Sequence, residues 1–505
     1  MDFLNIVANV INPQCILLII VGVVIGNVFG CIPGLNGPIA VALVLPITFT
    51  LDVIPSMALI MGIYMGSISG GLVSAILLKI PGTAASVATT FDGYPMTQNG
   101  RATDALSYGA FASVFGGLFS AIVLLLLAPV LSKMAIGFGP WEYFGTAVLA
   151  LSLVCSLLSG KRIKAFIAML IGLLVKMVGM SPVDSVAVRY TFGNAMLENG
   201  FDLVVIIIGI FALPEIIHNI GKISEKVTPA KIEKRIFFIP KLHEIKENFL
   251  VMIQGSIIGT VIGILPGMGG GAASLISYEQ AKRTSKHPEK FGTGYEPGIF
   301  SCESANNATS GGALVPMLAL GVPGDTVTAI IMGAIAMQGI TAGPMLSMGQ
   351  PELFKTIIFI VFIANIAMYL FQISTIRFMA QIIKVPKYLL FPIIAVFCAI
   401  GVISIRNSMF DLFSLFFFIV IGYVLDKNGY PLSPFILASV LGTSVETNLR
   451  RSIMYYNSFG GCLKQVSIGT LFFGLAVGIP VVLAILNFTS KKKIGNGDRD
   501  EKKDN

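Results

Sequence analysis

The stretch ESANNATSGGALVPMLALGVPGDTVT, Glu303 to Thr328, decides how this chain is read. Its surroundings have membrane character, yet it is no ordinary spanning helix. Paired amides (Asn306, Asn307), hydroxyls (Thr309, Ser310) and a glycine pair (Gly311, Gly312) lead into Pro323-Gly324-Asp325. Proline removes a backbone donor and glycine relaxes the chain, so Pro-Gly interrupts a helix. In hydrocarbon the freed backbone groups must find partners inside the protein or line a wet cavity. Such a break is costly unless it binds something.

Working outward, 55% of the 505 residues are hydrophobic and 12% are charged, where soluble domains carry about 25% charged residues. The mean hydropathy is +0.85. Many apolar runs, among them 105–131, 353–369 and 468–488, approach the ~20 residues that a spanning helix needs. This predicts an all-α polytopic membrane protein of about 10–12 transmembrane segments. The net charge of +8 lies in short loops, where it marks orientation and gives nucleic-acid binding no support. The six cysteines are scattered without a CxxC pair and read as small apolar helix residues. The start, MDFLNIVANV, lacks a basic region and a small-residue cleavage site, so no removed signal peptide is expected.

Three related interruptions occur elsewhere. GCIPGLNGP (30–38) cuts the first apolar run, and KIPGTAAS (79–86) ends a run that contains Ser69-Gly70-Gly71. After the polar stretch 221–248 the pattern starts again. GILPGMGGG (263–271) echoes the first motif, and TSGGALVPMLALGVPGDTVT (309–328) echoes ISGGLVSAILLKIPGTAAS (68–86). Two different broken-helix motifs repeated in order signal internal duplication. The sequence is therefore read as a first transmembrane half (1–220), a cytoplasmic polar linker (221–248), a second half (249–490) and a cytoplasmic tail (491–505). Basic residues flank 249–281 on both sides, which makes that segment a re-entrant hairpin with its tip at Leu265 to Gly271. The segment broken at Pro323-Gly324 then crosses as two half-helices. Counting back from the cluster Lys161 to Lys164 places the first copy in the opposite orientation, giving two inverted repeats with broken helices and re-entrant hairpins. Arg450-Arg451 falls on the wrong side for this scheme, so either its segment does not fully cross or the arginines have a partner.

At this point the residues carry a resemblance. SANNATSGGALVPMLALGVPGD (304–325), SGGLVSAILLKIPGTAASVATTFDGYPM (69–96), LPGMGGGAASLISYEQAKRTSKHPEKFGTG (265–294) and PLSPFILASVLGTSVETNLRRSI (431–453) are similar to stretches of the tripartite tricarboxylate transporter family, large membrane subunit of the TctA type. The resemblance spans nearly the whole chain. It implies a multi-pass importer of the bacterial inner membrane for citrate or other carboxylates, driven by an ion gradient. It further implies two partners, a small membrane subunit and an extracytoplasmic solute-binding protein. Leu35-Asn36 after the first Pro-Gly, and Cys302-Glu303-Ser304 before Ala305, depart from the family pattern and leave the substrate open.

The residues themselves suggest how a site is built. A half-helix beginning at mid-membrane presents free N–H groups and partial positive charge, suited to a carboxylate. The preceding half-helix presents carbonyls suited to Na⁺. Gly34, Asn36, Thr83, Ser86, Gly267, Gly269, Asn306, Asn307, Gly324 and Thr326 are the candidate substrate contacts. Asp325, Asn307 and Gly82 are the candidates for a coupling cation, Na⁺ or H⁺, and no other cofactor is expected. Each has a plainer reading: Asp325 as a helix N-cap, Asn306 and Asn307 as interhelical hydrogen-bond partners. Lys79, the basic residue beside a break, either pairs with substrate or reaches toward the interface. Glu446 and Arg450 stand at i, i+4, the spacing of a helical ion pair. The expected function is a permease subunit importing an organic anion; the alternatives are an intramembrane enzyme using Asp325, or an anion channel.

Overall fold

The computed structural model describes residues 2–500 apart from 159, 185–186, 213, 215–216, 218–238, 383–386 and 407. Most of the polar linker, His218 and the last five residues lie outside the described residues. The chain is an all-helical polytopic membrane protein. Among the described residues seven helices are long and apolar enough to cross a membrane: Pro13–Cys31, Val53–Leu78, Ala102–Ala135, Pro140–Leu157, Leu242–Ile264, Pro351–Ile382 and Met409–Lys427. Shorter apolar helices, Gly37–Thr48, Thr326–Met337, Phe391–Ile403 and Ile468–Leu483, accompany them. Among the described residues strand is confined to a two-residue antiparallel pair, Gly179–Met180 with Val188–Arg189.

Two compact units form, 1–137 with 201–428, and 138–200 with 429–505. Helices from before and after the polar linker share the first unit. Within it, the Pro13–Cys31 helix turns at Pro33-Gly34 into Gly37–Thr48, making the first hairpin. The Val53–Leu78 helix stops at Lys79, which adopts φ +60, and resumes after Pro81-Gly82 as Thr89–Gln98. The second hairpin joins Leu242–Ile264 to Gly269–Thr284, and the second broken helix joins Glu296–Leu320 to Thr326–Met337. Gly321 ends Glu296–Leu320 at φ +70, and the Val322 N–H returns to the Pro316 carbonyl at 3.2 Å, satisfying carbonyls that the helix end would otherwise leave bare.

Glycine spacing explains how each hairpin grips its broken helix. Gly22, Gly26 and Gly30 lie against the carbonyls of Leu59, Ile63 and Ser67; an added Cβ at any of them would collide with backbone. Gly255, Gly259 and Gly263 lie in the same way against Ser301, Ala305 and Thr309. Small residues every four positions let backbones approach closely enough for dispersion to replace the missing hydrophobic drive within a membrane. The two long helices so gripped form the centre of the unit. Every residue from Gly298 to Ala319 is buried, including Glu303, Asn306, Asn307, Thr309 and Ser310.

Asp92 fastens the second copy to the first. Its Oδ1 accepts the N–H groups of Gly292, Gly294 and Tyr295 at 2.8–2.9 Å, and its Oδ2 accepts the Tyr278 hydroxyl at 2.8 Å. Nearby, the Asn99 amide donates to the Thr293 carbonyl at 3.3 Å.

In the second unit, Arg450 bonds Glu446 (3.3 Å), Asp184 (3.4 Å) and the Ser181 hydroxyl (3.1 Å), and Arg189 also binds Glu446. The expected Glu446–Arg450 pair is present, and Arg450 has the partners that its position in the sequence calls for. Asp184, outside the spanning segments, is held below the usual carboxylate range by the Ser181 hydroxyl first and by Arg450 beyond it.

Candidate transport site

The four interruptions meet. Gly82 abuts the Gly30 carbonyl, so the first break touches the first tip. An added Cβ at Gly270 would lie 2.9 Å from Ala85 Cβ, so the second hairpin touches the first break. The Gly267 N–H donates to the Gly324 carbonyl at 2.9 Å, joining the second tip to the second break. An added Cβ at Gly37 would lie 3.5 Å from Val327 Cγ2, which returns the circuit to the first hairpin. Tip, break, tip and break form a closed ring drawn from both copies.

Two helix starts at this ring are capped by side chains, and the Gly269–Thr284 start after Met268 has no side-chain cap. The Asn36 side chain accepts the Ile39 N–H at 3.1 Å. Asp325 caps Thr326–Met337: Oδ1 accepts the Thr328 N–H at 2.7 Å and the Thr328 hydroxyl at 2.8 Å, while Oδ2 accepts the Tyr64 hydroxyl at 2.7 Å. Both Asp325 oxygens are thus engaged by the protein, in the N-cap arrangement that the sequence allowed. Thr83 and Ser86 make the matching turn at the first break, with the Ser86 hydroxyl donating to the Thr83 carbonyl at 2.9 Å. Gly34, Gly267 and Gly269 take left-handed φ of +93, +83 and +64 at the tips. An added Cβ at Gly269 would meet nothing within 4 Å, so backbone conformation, rather than crowding, is what asks for glycine there.

The other candidates divide. Asn307 donates to the Glu303 carbonyl of its own helix at 3.2 Å, so its amide is turned along the helix. Asn306 behaves differently. Its Nδ2 donates to the Ile68 carbonyl and to Glu303 Oε2, each at 3.4 Å, while its buried Oδ1 has no partner and lies 2.7 Å from where a Cβ on Gly270 would stand. Thr83 Oγ1 is buried without a partner too. Gly324 is buried at the second break, and Thr326 begins the helix after it. Gly82 is placed by its contact with Gly30. Lys79 is exposed, with Nζ 5.7 Å from the Tyr94 ring centroid.

Two residues at this centre had no place among the sequence candidates. Tyr64 bonds Asp325 across 261 positions of chain, a pairing that no local pattern signals. Glu303 is fully buried and is bonded by Thr89, Ser113 and Asn306. Its signal was available, since an acidic residue within a buried transmembrane stretch is a functional hypothesis by default.

A family profile, the tripartite tricarboxylate transporter TctA family, matches residues 16–437. The chain belongs to the TctA family. TctA proteins are large membrane subunits of tricarboxylate transporters, so the ring lies in a transporter subunit. Two relatives from Agrobacterium vitis are similar to this chain, one over nearly its whole length and one over about half of it. The uncharacterized 52.8 kDa protein in the TAR-I ttuC' 3' region is 36% identical over 96% of this chain and 95% of its own length. The uncharacterized protein in the TAR-II ttuC' 3' region is 36% identical over 46% of this chain and 97% of its own. No solved structure matches.

Proposed function

We propose that this TctA protein is the permease of a binding-protein-dependent secondary transporter, importing an organic carboxylate across the bacterial inner membrane with a coupling cation. The observation that carries the reading is the ring: four helix interruptions, two from each copy, brought into contact around polar atoms that lack partners. The helices that start after Asn36, Met268 and Asp325 bring N–H groups and partial positive charge to the ring, the ends that favour a carboxylate. Gly34, Asn36, Thr83, Ser86, Gly267, Gly269, Asn306, Gly324 and Thr326 surround the place where it binds. The two copies are inverted, so the ring is open to one side of the membrane or the other in turn. A small membrane subunit and an extracytoplasmic solute-binding protein complete the system. The enzyme alternative asks for two facing carboxylates; Glu303 and Asp325 are bonded to different partners and not to each other.

The test is uptake into proteoliposomes with the candidate small subunit and binding protein present. Labelled mono-, di- and tricarboxylates are supplied with and without Na⁺ and pH gradients. Accumulation of a particular acid only with a gradient and the binding protein is the expected result. Folded protein that accumulates none of the panel under any gradient would overturn the proposal.

A further inference from the structure

Glu303 occupies a setting that the transport reading leaves unexplained. It is 0% exposed at the centre of the first unit. Its neighbours come from three helices: the Thr89 hydroxyl from Thr89–Gln98, the Ser113 hydroxyl at 3.3 Å from Ala102–Ala135, and the Asn306 amide at 3.4 Å from one turn along its own helix. The adjacent Cys302 thiol lies 3.4 Å from Thr89 Oγ1. Of the further carboxylates on those helices, Asp92 spends both oxygens on Tyr278 and the 292–295 backbone, and Asp104 and Glu296 pair with Arg101. Among the described residues no lysine, arginine or histidine bonds Glu303. A buried ion without a counter-ion is costly; here three donors, Thr89, Ser113 and Asn306, hold the carboxylate in place of one, and uptake of a proton removes the charge altogether.

Asn306 connects that proton to the ring. Its amide holds Glu303 Oε2 with the NH₂ and leaves Oδ1 at the ring without a donor. A carbonyl oxygen there opposes a substrate carboxylate, acceptor against acceptor. When Glu303 takes up H⁺, its O–H becomes a donor. Turning the amide over then gives up the 3.4 Å bond to the Ile68 carbonyl and makes two others: the carboxyl O–H donates to Oδ1, and the NH₂ faces the ring. We infer that Glu303 is the coupling proton acceptor of this transporter, and that its protonation, relayed by the Asn306 amide, creates the donor that holds the substrate carboxylate. The balance is one H⁺ taken onto the Glu303 carboxylate as the substrate binds and released from it as the substrate leaves. The inference rests on the transport reading and names its coupling group.

The experiment is substrate affinity and proton uptake against pH on the whole protein, using the acid found by the uptake panel. Wild type is expected to bind more weakly as pH rises and to draw a proton from a pH indicator on binding. Glu303→Gln presents a permanent NH₂ to Asn306. It is expected to bind with no pH dependence, to take up no proton, and to lose accumulation driven by a pH gradient. A purely structural Glu303 would not flatten the pH profile. Should Glu303→Gln fail to fold, infrared difference spectra of wild type decide the matter: a protonated-carboxyl band that grows on substrate binding is expected. Wild-type binding without proton uptake, or accumulation that follows Na⁺ and ignores the pH gradient, would overturn the inference while leaving carboxylate transport standing. No uptake of any acid would instead remove the transport reading itself.

Discussion

At the scale of the residue, Asp325 shows how a polar group inside a membrane protein can be fully occupied by its own chain. Cap and hydroxyl acceptor together use both oxygens. Asp325→Asn keeps an N-cap of similar rank and should fold as wild type. Asp325→Ala should lose roughly 0.5–2 kcal/mol for the cap and a further ~1–3 kcal/mol for the stranded Tyr64 hydroxyl. Adding Tyr64→Phe to Asp325→Ala should recover part of that loss, because it removes the stranded donor. Thermal unfolding in detergent measures the cycle, and strict additivity of the two changes would show that the bond contributes nothing. The N-cap was legible in the sequence because Pro-Gly-Asp before an apolar helix is a local signal. Tyr64 was not, because its partner arrives through the tertiary fold. Glu303 stood in plain view but without its neighbours Thr89 and Ser113, which come from elsewhere in the chain.

At the scale of the element, the interruptions were the readable part. Proline and glycine act on the backbone where they stand, so Cys31, Leu78, Ile264 and Leu320 end their helices close to where the motifs fall. The glycine rows GVVIG-NVFG (22–30) and GSIIG-TVIG (255–263) share one spacing, and in the fold each row is the face by which its hairpin grips a broken helix. That information was present in the sequence, yet a four-residue glycine period does not name its partner until the helices are placed. Gly259→Leu should be severe: the Ala305 carbonyl occupies the space, and overpacking costs about 1–3 kcal/mol or more. Gly478→Leu, where nothing lies within 4 Å of an added Cβ, serves as the control. Monodispersity and melting temperature after purification read the difference, and equal behaviour of the two would remove glycine contact as the cause.

At the scale of the molecule, the all-helical membrane class followed from composition, whereas the grouping into units did not. Residues 138–200 join 429–505, and 1–137 join 201–428, a partition that contiguous reading along the chain cannot reveal. The exposed pair Asn99 and Thr293 offers a handle on how the first unit works, since it links the copies away from the ring. Asn99→Cys with Thr293→Cys, joined by a short bifunctional thiol reagent, should transport as the unlinked protein does. The native cysteines are buried among the described residues and leave the reagent to the new pair. Transport that stops on linking and returns when the link is cut would show that the copies separate during the cycle.

The closed ring has a mechanical consequence. A jaw that opened between the copies would draw Gly270 away from Ala85 and Gly37 away from Val327 in the same stroke, and would leave the Gly267–Gly324 bond whole. Tip and break of one copy stand side by side in the ring, so the seam between the copies crosses it at those two apolar contacts. Each copy holds its half of the ring as a clasp already fastened to itself, and what is left to open is the join between two clasps.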